Sequence, residues 1–488
     1  MIEELTHHLI VNRHPYVYDR YNRMNQDTTV RKRLFYKGTT GSEASRISKH
    51  RKSTRSTEPL LYKLVSTFIM LGVCLLIVQG CSQASLTNTD NNAISSTPTH
   101  SPNTETGEGT EDNQPIDEPE LTEREILLEQ IAEMTLEEKI GQMIIAGVDG
   151  PEIDADISRL ISKDKIGGII LYADNISDLK GMVSLVNNLK QSNKDNAIPL
   201  LISIDQEGGK VNRMPKEFTA LPSNKRVGAT NDPALAVTMG KLLAEELKAT
   251  GFNMNFAPVL DVNSNPNNPV IGSRSFGTTA DLVTRMGIAE MKGIRDTGII
   301  PVVKHFPGHG DTSVDSHIEL PIVHKTKDEL AQLEWLPFQA AIEQGTDAIM
   351  VAHILFPKID ADKPASLSSV IIGDQLRGTM GYDGVVMTDD MTMGAITKNY
   401  GLAEAALASV QAGTDIVLVA HGYDKARLVR DTLLNNVNKG TLTQERIDES
   451  VLRILTMKQR YPLTDQEVPV PKLTKLNADI AAWIKQLK

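Results

Sequence analysis

Residues 299–305 read IIPVVKH, a short apolar run that ends in a lysine and a histidine. A run of this length, rich in β-branched residues, is typical of a strand buried on both faces, as strands of parallel sheets are. The pattern recurs seven more times, at 142–148, 166–172, 199–206, 254–262, 347–353, 384–390 and 415–421. Eight such strands in one chain favour a closed parallel barrel over an open sheet.

Longer stretches with helical character separate these runs, for example at 234–251 and 333–345. Alternating strands and helices over roughly 300 residues favour a (β/α)8 TIM-type barrel. The alternative is a doubly wound open sheet, which usually has fewer strands. We therefore predict a single catalytic domain over residues 121–463, followed by a C-terminal tail with a short helix at 464–488. Capping boxes at Thr122 and Thr135 predict the first two helices.

Polar residues end six of the eight apolar runs. In a barrel of this kind the carboxyl ends of the strands form the face that carries the active site. One polar strand end is ordinary, but six at the same face predict a polar pocket. The residues concerned are Asp205, Asp261, Lys304 with His305, His353, Asp389 and His421.

The charge of the chain is uneven. Residues 1–63 carry 13 Lys/Arg and 6 Asp/Glu, while the whole chain carries 51 and 62, for a net charge of −11. The remainder is therefore strongly acidic, at about −18. Nucleic-acid binding requires clustered Lys and Arg against phosphates, so we expect no nucleic-acid partner. The basic segment 1–63 is interpreted as an extension without a fold of its own.

An uncharged apolar stretch at 64–81 follows this extension and has the features of an export signal. Its end, VQGCS (78–82), resembles a bacterial lipobox, which would make Cys81 a lipidated residue at the start of the mature protein. An uncleaved membrane anchor is the alternative. Residues 82–120 are rich in Ser, Thr, Asn and acidic residues and predict a disordered linker. The other cysteine is Cys74, so neither disulfides nor a cysteine-based zinc site are expected in the barrel.

The stretch VVKHFPGHGDTSVDSH (302–317) carries the densest chemistry. A metal site could use His305, His309, Asp311 and His317, although Lys304 beside them disfavours a cation. A purely structural loop is a second interpretation. The third is acid/base catalysis, in which Asp315 accepts a hydrogen bond from one nitrogen of His317, because residues two apart in an extended loop share a side. The other nitrogen could then transfer protons near neutral pH.

Motifs for other chemistries are missing from the sequence. No Gly-rich dinucleotide motif follows a strand, since the two glycines of DQEGGKVNR (205–213) lack the required spacing. No serine stands in a G-x-S-x-G elbow. What remains is a set of carboxylates and histidines with one lysine and several arginines, a combination suited to hydrolysis without a cofactor.

Four motifs together resemble the β-N-acetylhexosaminidases of glycoside hydrolase family 3. They are KHFPGHGDTSVDSH (304–317), DQEGGKVNRM (205–214), VIGSRSFG (270–277) and GVVMTDDMTMGA (384–395). The resemblance extends over roughly residues 125–460. It implies a (β/α)8-type barrel and hydrolysis with retention of configuration through a covalent glycosyl-enzyme intermediate.

The resemblance also implies roles for individual residues. Asp389 matches the nucleophile, with Asp390 as the fallback, and His317 matches the acid/base residue, oriented by Asp315. No domain is expected after the barrel, so the acid/base group should come from the barrel's own loop. The N-acetylglucosamine ring would be held by Asp205, Arg213, Arg274, Lys304 and His305.

Neighbouring residues are expected to have supporting roles. His309 should order the Gly-rich loop, while His353 and His421 are candidates for the wall of the pocket. Met391 and Met393 are expected to pack. For Arg274 the alternative is a structural ion pair, for instance with Asp261.

The sequence thus predicts a lipid-anchored, extracytoplasmic exo-β-N-acetylglucosaminidase acting on peptidoglycan-derived muropeptides or related glycans, with no metal or cofactor. Phosphorolysis is an alternative, because a histidine repels incoming phosphate less than a carboxylate does. A surface sugar-binding lipoprotein without activity is an alternative of another class.

Overall fold

The structure is a computed structural model that describes residues 121–487. The predicted extension (1–63), the signal with Cys81 (64–81) and the linker (82–120) lie outside the described residues. Within 121–487, none of the helices combines the length and the apolar character that crossing a membrane requires.

Eight parallel strands form one sheet whose order is β7-β6-β5-β4-β3-β2-β1-β8. A parallel bridge between Met387 and Ile416 joins the two outer strands and closes the barrel. The prediction of a (β/α)8 barrel is confirmed. The strands are β1 (Ile144–Gly147), β2 (Gly168–Leu171), β3 (Leu201–Ile204), β4 (Met254–Asn255), β5 (Ile300–Phe306), β6 (Ala348–Val351), β7 (Val385–Thr388) and β8 (Val417–Val419).

Every residue of these strands is buried, which accounts for their nearly continuous apolar sequences. The fourth strand is shorter than its apolar run. Only Met254 and Asn255 are in strand conformation, and the rest of the run 254–262 continues irregularly, with a bridge from Val259 to Lys304. Asp261 therefore does not end a strand, contrary to the sequence interpretation.

Fourteen α-helices are present within residues 121–487, and most of them surround the barrel. Thr122 and Thr135 form the two predicted capping boxes, each with a glutamate three residues later. The helices are α1 (Glu123–Glu133), α2 (Leu136–Gln142), α3 (Ala155–Ser162), α4 (Leu179–Asn193), α5 (Asn224–Gly228), α6 (Pro233–Ala249), α7 (Ala280–Asp296), α8 (Lys327–Ala331), α9 (Trp335–Glu343), α10 (Gly394–Thr397), α11 (Leu402–Ala412), α12 (Tyr423–Asn438), α13 (Gln444–Gln459) and α14 (Thr474–Ile484); a π-helix spans Val370–Thr379.

The C-terminal segment lies against the barrel. Ile480, Trp483 and Leu487 are buried in an apolar cluster that includes residues of α6 and α7. Before this helix, Asp465 accepts hydrogen bonds from Asn193 Nδ2 at 2.8 Å and from the backbone N–H of Leu200 at 3.2 Å. The short helix expected in residues 464–488 is thus α14, and the segment packs on the catalytic domain.

Candidate active site

A cavity of about 170 Å³ opens at the carboxyl ends of the strands. This is the face at which barrels of this type carry their active sites. The predicted site residues that line it come from units widely separated in sequence. They are Asp205, Arg213, Arg274, Lys304, His305, His317 and Asp389. Asp315, the eighth predicted site residue, does not line the cavity but forms a hydrogen bond with His317.

Asp389 directly follows β7 and is half-buried in the wall of the cavity. Its backbone N–H donates to the Val351 carbonyl at 2.9 Å, and its Oδ1 accepts from the Asp390 N–H at 2.8 Å. Burial alone would raise the pKa of this carboxyl, but His305, His353 and the Asp390 N–H together lower it to about 2. Asp389 is therefore an anion at any ordinary pH, as a carboxylate nucleophile must be.

Asp390 also borders the cavity, but its oxygens are already used. Oδ1 accepts hydrogen bonds from the backbone N–H groups of Thr392 and Ala420, both at 2.9 Å, and Oδ2 accepts from the Thr392 hydroxyl at 2.5 Å. These contacts tie the segment after β7 to β8. The geometry gives Asp390 a structural role and favours Asp389 over this fallback.

Asp315 and His317 form a hydrogen-bonded pair at the cavity. The distance from His317 Nδ1 to Asp315 Oδ1 is 2.7 Å, and the backbone N–H of His317 donates to the same oxygen at 2.9 Å. Since the carboxylate only accepts, the network assigns the proton to Nδ1 and leaves Nε2 for proton exchange. The prediction that this loop is extended is wrong. Asp315 starts a turn, in which its carbonyl accepts hydrogen bonds from the N–H groups of Ile318 and Glu319.

Glu207 anchors the cationic side of the cavity, and the sequence interpretation gave it no role. It is buried and accepts two hydrogen bonds from Arg274, at 2.8 Å from Nε and 2.7 Å from Nη2. Lys304 Nζ lies 2.7 Å from Glu207 Oε1 and 2.5 Å from Asp205 Oδ1. Burial raises the pKa of Glu207, but Arg274 and Lys304 outweigh it and hold that pKa far below its ordinary value. The ion pair suggested between Arg274 and Asp261 is replaced by this one.

Asp261 supports the site from below instead of lining it. It is fully buried and lies 2.6 Å from His305 Nδ1, while its other oxygen accepts from the His309 N–H at 2.6 Å. His305 Nε2 in turn lies 3.3 Å from Arg274 Nη2. Asp261 therefore fixes the ring of His305 and the start of the Gly-rich loop. The sequence-based prediction that it lines the pocket is wrong.

His309 orders the loop that leads to His317. The Thr312 hydroxyl donates to the His309 carbonyl at 3.0 Å and lies 2.8 Å from Nδ1, so it accepts from an Nδ1–H. Nε2 then accepts from the Ser316 hydroxyl at 3.0 Å. Burial lowers the pKa of His309 to about 4, which agrees with this neutral form.

The wall candidates divide into two groups. His421 lines the cavity and stacks on Tyr172, with ring centroids 5.3 Å apart and planes at 27°. Met393 also lines the cavity, although it was expected only to pack. His353 is fully buried behind the wall, where Nε2 lies 3.0 Å from the Asp390 carbonyl and Nδ1 lies 2.7 Å from Ser366 Oγ.

The four residues considered as metal ligands have separate partners. His305 and His309 contact Asp261 and the loop, His317 contacts Asp315, and Asp311 lies 3.2 Å from Lys325 Nζ. Across residues 121–487, no group of three or more His, Cys, Asp or Glu residues is arranged to hold one ion.

Replacement of Glu207 by glutamine is expected to lower the free energy of unfolding by about 3–5 kcal/mol, because it removes the charge that pairs with the buried guanidinium of Arg274 and leaves Lys304 with Asp205 alone. Glutamine keeps the size of the side chain, so the loss reports the charge. Glu152→Gln, at an exposed loop position, is the matched control. Denaturant titration of both variants measures the effect. A change within about 0.5 kcal/mol, as at an ordinary surface site, would contradict the assignment of Glu207 as an anchor.

Comparison with known proteins shows what the chain is similar to. The family described as "Glycosyl hydrolase family 3 N terminal domain" matches residues 135–457. Beta-hexosaminidase A of Pseudoalteromonas piscicida is 35% identical over 365 residues, which cover 68% of this chain and 61% of that protein. Beta-hexosaminidase of Thiobacillus denitrificans is 36% identical over 284 residues, 57% of this chain and 78% of that one.

Solved structures agree in fold. A glycoside hydrolase family 3 beta-N-acetylglucosaminidase from Paenibacillus sp. superimposes with a TM-score of 0.69 at 44% identity, covering 72% of this chain and 68% of that one. The chain thus spans about three fifths to four fifths of the length of these relatives.

Proposed function

Because this chain belongs to glycosyl hydrolase family 3, we propose that its barrel is a retaining exo-β-N-acetylglucosaminidase that releases terminal N-acetylglucosamine. One observation carries the proposal. An ionised carboxylate, Asp389, and a histidine paired with a carboxylate, His317 with Asp315, border the same cavity. A retaining mechanism needs such a nucleophile and such an acid/base group around one anomeric carbon.

In the first step a carboxylate oxygen of Asp389 attacks the anomeric carbon of the sugar. The bond from that carbon to the glycosidic oxygen breaks, and His317 gives its Nε2 proton to the leaving oxygen. The product is a glycosyl ester of Asp389 and a free alcohol. Asp315 stabilises the protonated ring, since its carboxylate accepts from Nδ1 at 2.7 Å.

In the second step His317, now neutral at Nε2, takes a proton from water as the water oxygen attacks the anomeric carbon. The ester bond to Asp389 breaks and the carboxylate is restored. Two displacements on the same carbon return the sugar with its original configuration, and both catalytic groups regain their initial protonation.

The remaining cavity residues would hold the ring. Lys304 and Arg274 would donate to sugar oxygens, and Asp205 would accept from sugar hydroxyls. His305 would accept at Nε2, because its Nδ1 proton is directed to Asp261. Arg213 has a buried Nε for which the described residues provide no hydrogen-bond acceptor, so a ligand oxygen would satisfy it. The cavity is also smaller than the ~300–1,000 Å³ typical of sites for drug-sized ligands, which suits one terminal sugar and supports exo action.

The test is hydrolysis of a chromogenic β-N-acetylglucosaminide by the full chain, beside the matching β-glucoside, with and without added phosphate. The proposal expects release from the N-acetylglucosaminide with free sugar as the product in both buffers. A sugar phosphate as the main product would establish phosphorolysis instead. Binding of the sugar without any turnover would indicate a binding protein and would overturn the proposal.

For location and natural substrate, the support comes from the sequence of residues 64–82 alone. We propose that Cys81 carries a lipid and that the enzyme acts outside the cytoplasmic membrane on peptidoglycan-derived muropeptides. Growth of a bacterial host with an alkyne fatty acid is expected to label the wild-type chain, and a Cys81→Ala variant should remain unlabelled while Cys74→Ala is labelled. Equal labelling of the wild type and the Cys81→Ala variant would contradict the lipid assignment.

A further inference from the structure

Two backbone hydrogen bonds join the loop that carries His317 to the segment that follows Asp389. The N–H of Gly394 donates to the His317 carbonyl at 3.2 Å, and the N–H of Ala395 donates to the Ser316 carbonyl at 3.1 Å. No side chain mediates either contact. The backbone at His317 is therefore held directly by a segment that begins five residues after the nucleophile.

Gly394 is placed where a side chain has no room. An added Cβ would lie 2.6 Å from the Ile318 carbonyl oxygen and 2.7 Å from the His317 carbonyl oxygen, both backbone atoms. Neither can rotate away as the end of a flexible side chain could. The glycine at this position is thus required by the close approach of the acid/base loop.

The junction formed by Gly394 and Ala395 with Ser316 and His317 is held in place by further contacts on both sides. On the nucleophile side, Asp390 accepts from the N–H groups of Thr392 and Ala420 and so attaches the segment to β8. On the loop side, Ser316 Oγ bonds His309 Nε2 at 3.0 Å. A shift of the backbone at Gly394 should therefore displace the exposed end of the loop, where the His317 side chain is 65% accessible. The buried ring of His309 should stay in place.

We propose that Gly394 is a positioning residue that sets the distance between His317 and Asp389. The inference rests on the proposed function, since it assigns Gly394 an effect only on the proton transfer by His317. A displaced catalytic group can cost about 10²-fold in rate for a shift near 1 Å. The loss should fall on substrates whose leaving group needs that proton.

The experiment compares Gly394→Ala with the wild type on two β-N-acetylglucosaminides, one with a 3,4-dinitrophenyl group and one with a sugar alcohol as leaving group. We expect kcat/KM to fall about 10²-fold for the sugar and by less than about threefold for the dinitrophenyl substrate, which leaves without a proton. Gly401→Ala is the matched control, because its added Cβ would lie an ordinary 3.5 Å from Glu404 Oε2. It should match the wild type on both substrates.

A second variant removes a hydrogen bond without adding an atom. Replacing Ala395 by lactic acid, so that an ester oxygen stands in place of its N–H, should lower kcat/KM for the sugar substrate about fivefold, the value of one hydrogen bond, and leave the dinitrophenyl substrate unchanged. If Gly394→Ala does not fold, this variant tests whether the contact between the two segments positions His317.

The outcomes separate the inference from the proposed function. Equal losses on the two substrates, or none, in a folded variant would overturn the role of Gly394 while the wild type still hydrolyses both. A wild type that hydrolyses neither substrate would overturn the proposed function instead.

Discussion

Replacement of Asp389 by alanine is expected to reduce kcat for β-N-acetylglucosaminide hydrolysis by at least about 10⁴-fold, the scale on which loss of a catalytic-triad residue affects other hydrolases. The physical reason is the loss of the only group proposed to form a bond with the anomeric carbon. In the wild type, the pKa of Asp389 of about 2 keeps the carboxylate ionised throughout the pH range of the assay. The alanine variant has no side-chain group to ionise, so no change of pH should restore its activity. Steady-state rates with a dinitrophenyl substrate measure the effect.

Added azide tests whether the activity lost in this variant is that of the nucleophile. Alanine leaves space where the carboxylate was, and azide can attack the anomeric carbon from that side as the dinitrophenolate leaves. One displacement inverts the configuration, so the α-glycosyl azide is the expected product. Asp374→Ala, at an exposed position before β7, should behave as the wild type. Wild-type rates in the Asp389→Ala variant would remove Asp389 from the mechanism.

The second large effect is expected at His317. Its replacement by alanine should lower kcat/KM for a sugar leaving group by about 10²–10⁴-fold, the usual contribution of general acid catalysis. For a dinitrophenyl leaving group, kcat/KM should change little, because that group departs as a stable anion. Only the second step, in which water needs a base, should then slow for this substrate.

Asp315 offers the companion measurement. Asp315→Asn keeps an oxygen that can accept from His317 Nδ1 but removes the charge that stabilises the protonated ring. It should show a smaller loss than His317→Ala, again confined to poor leaving groups. If His317→Ala lowered kcat/KM equally for both substrates, the histidine would have a structural role and another acid would have to be found.

The sequence allowed the barrel to be predicted because its signal is local. Each strand is buried on both faces, so each is a short apolar run that can be recognised without knowing its neighbours. The same rule located half of the predicted site residues, Asp205, Lys304, His305 and Asp389, since polar residues after such runs share one face of the barrel. The loop residues Arg213, Arg274, Asp315 and His317 came from the motifs that resemble the family. The rule failed at Asp261, where the strand is only two residues long and the chain continues irregularly.

The contacts that stabilise the site could not be predicted in this way. Glu207 meets Arg274 across 67 residues, and the pairing depends on how the loops after β3 and β4 pack. Asp205 stands two positions earlier in the same motif, and a second carboxylate so near it was a signal that could have been noticed. The junction at Gly394 has no signal in the pattern, because its partners are carbonyl groups that every residue possesses.

The central claim is that Asp389 forms a covalent bond with the sugar, and trapping that ester tests it most directly. A 5-fluoro N-acetylglucosaminyl fluoride combines a good leaving group with a fluorine that slows both steps, so the ester should accumulate. Mass spectrometry of the digested protein is expected to show one added glycosyl group, located on Asp389. Turnover of the reagent with the label on a different residue would contradict the account.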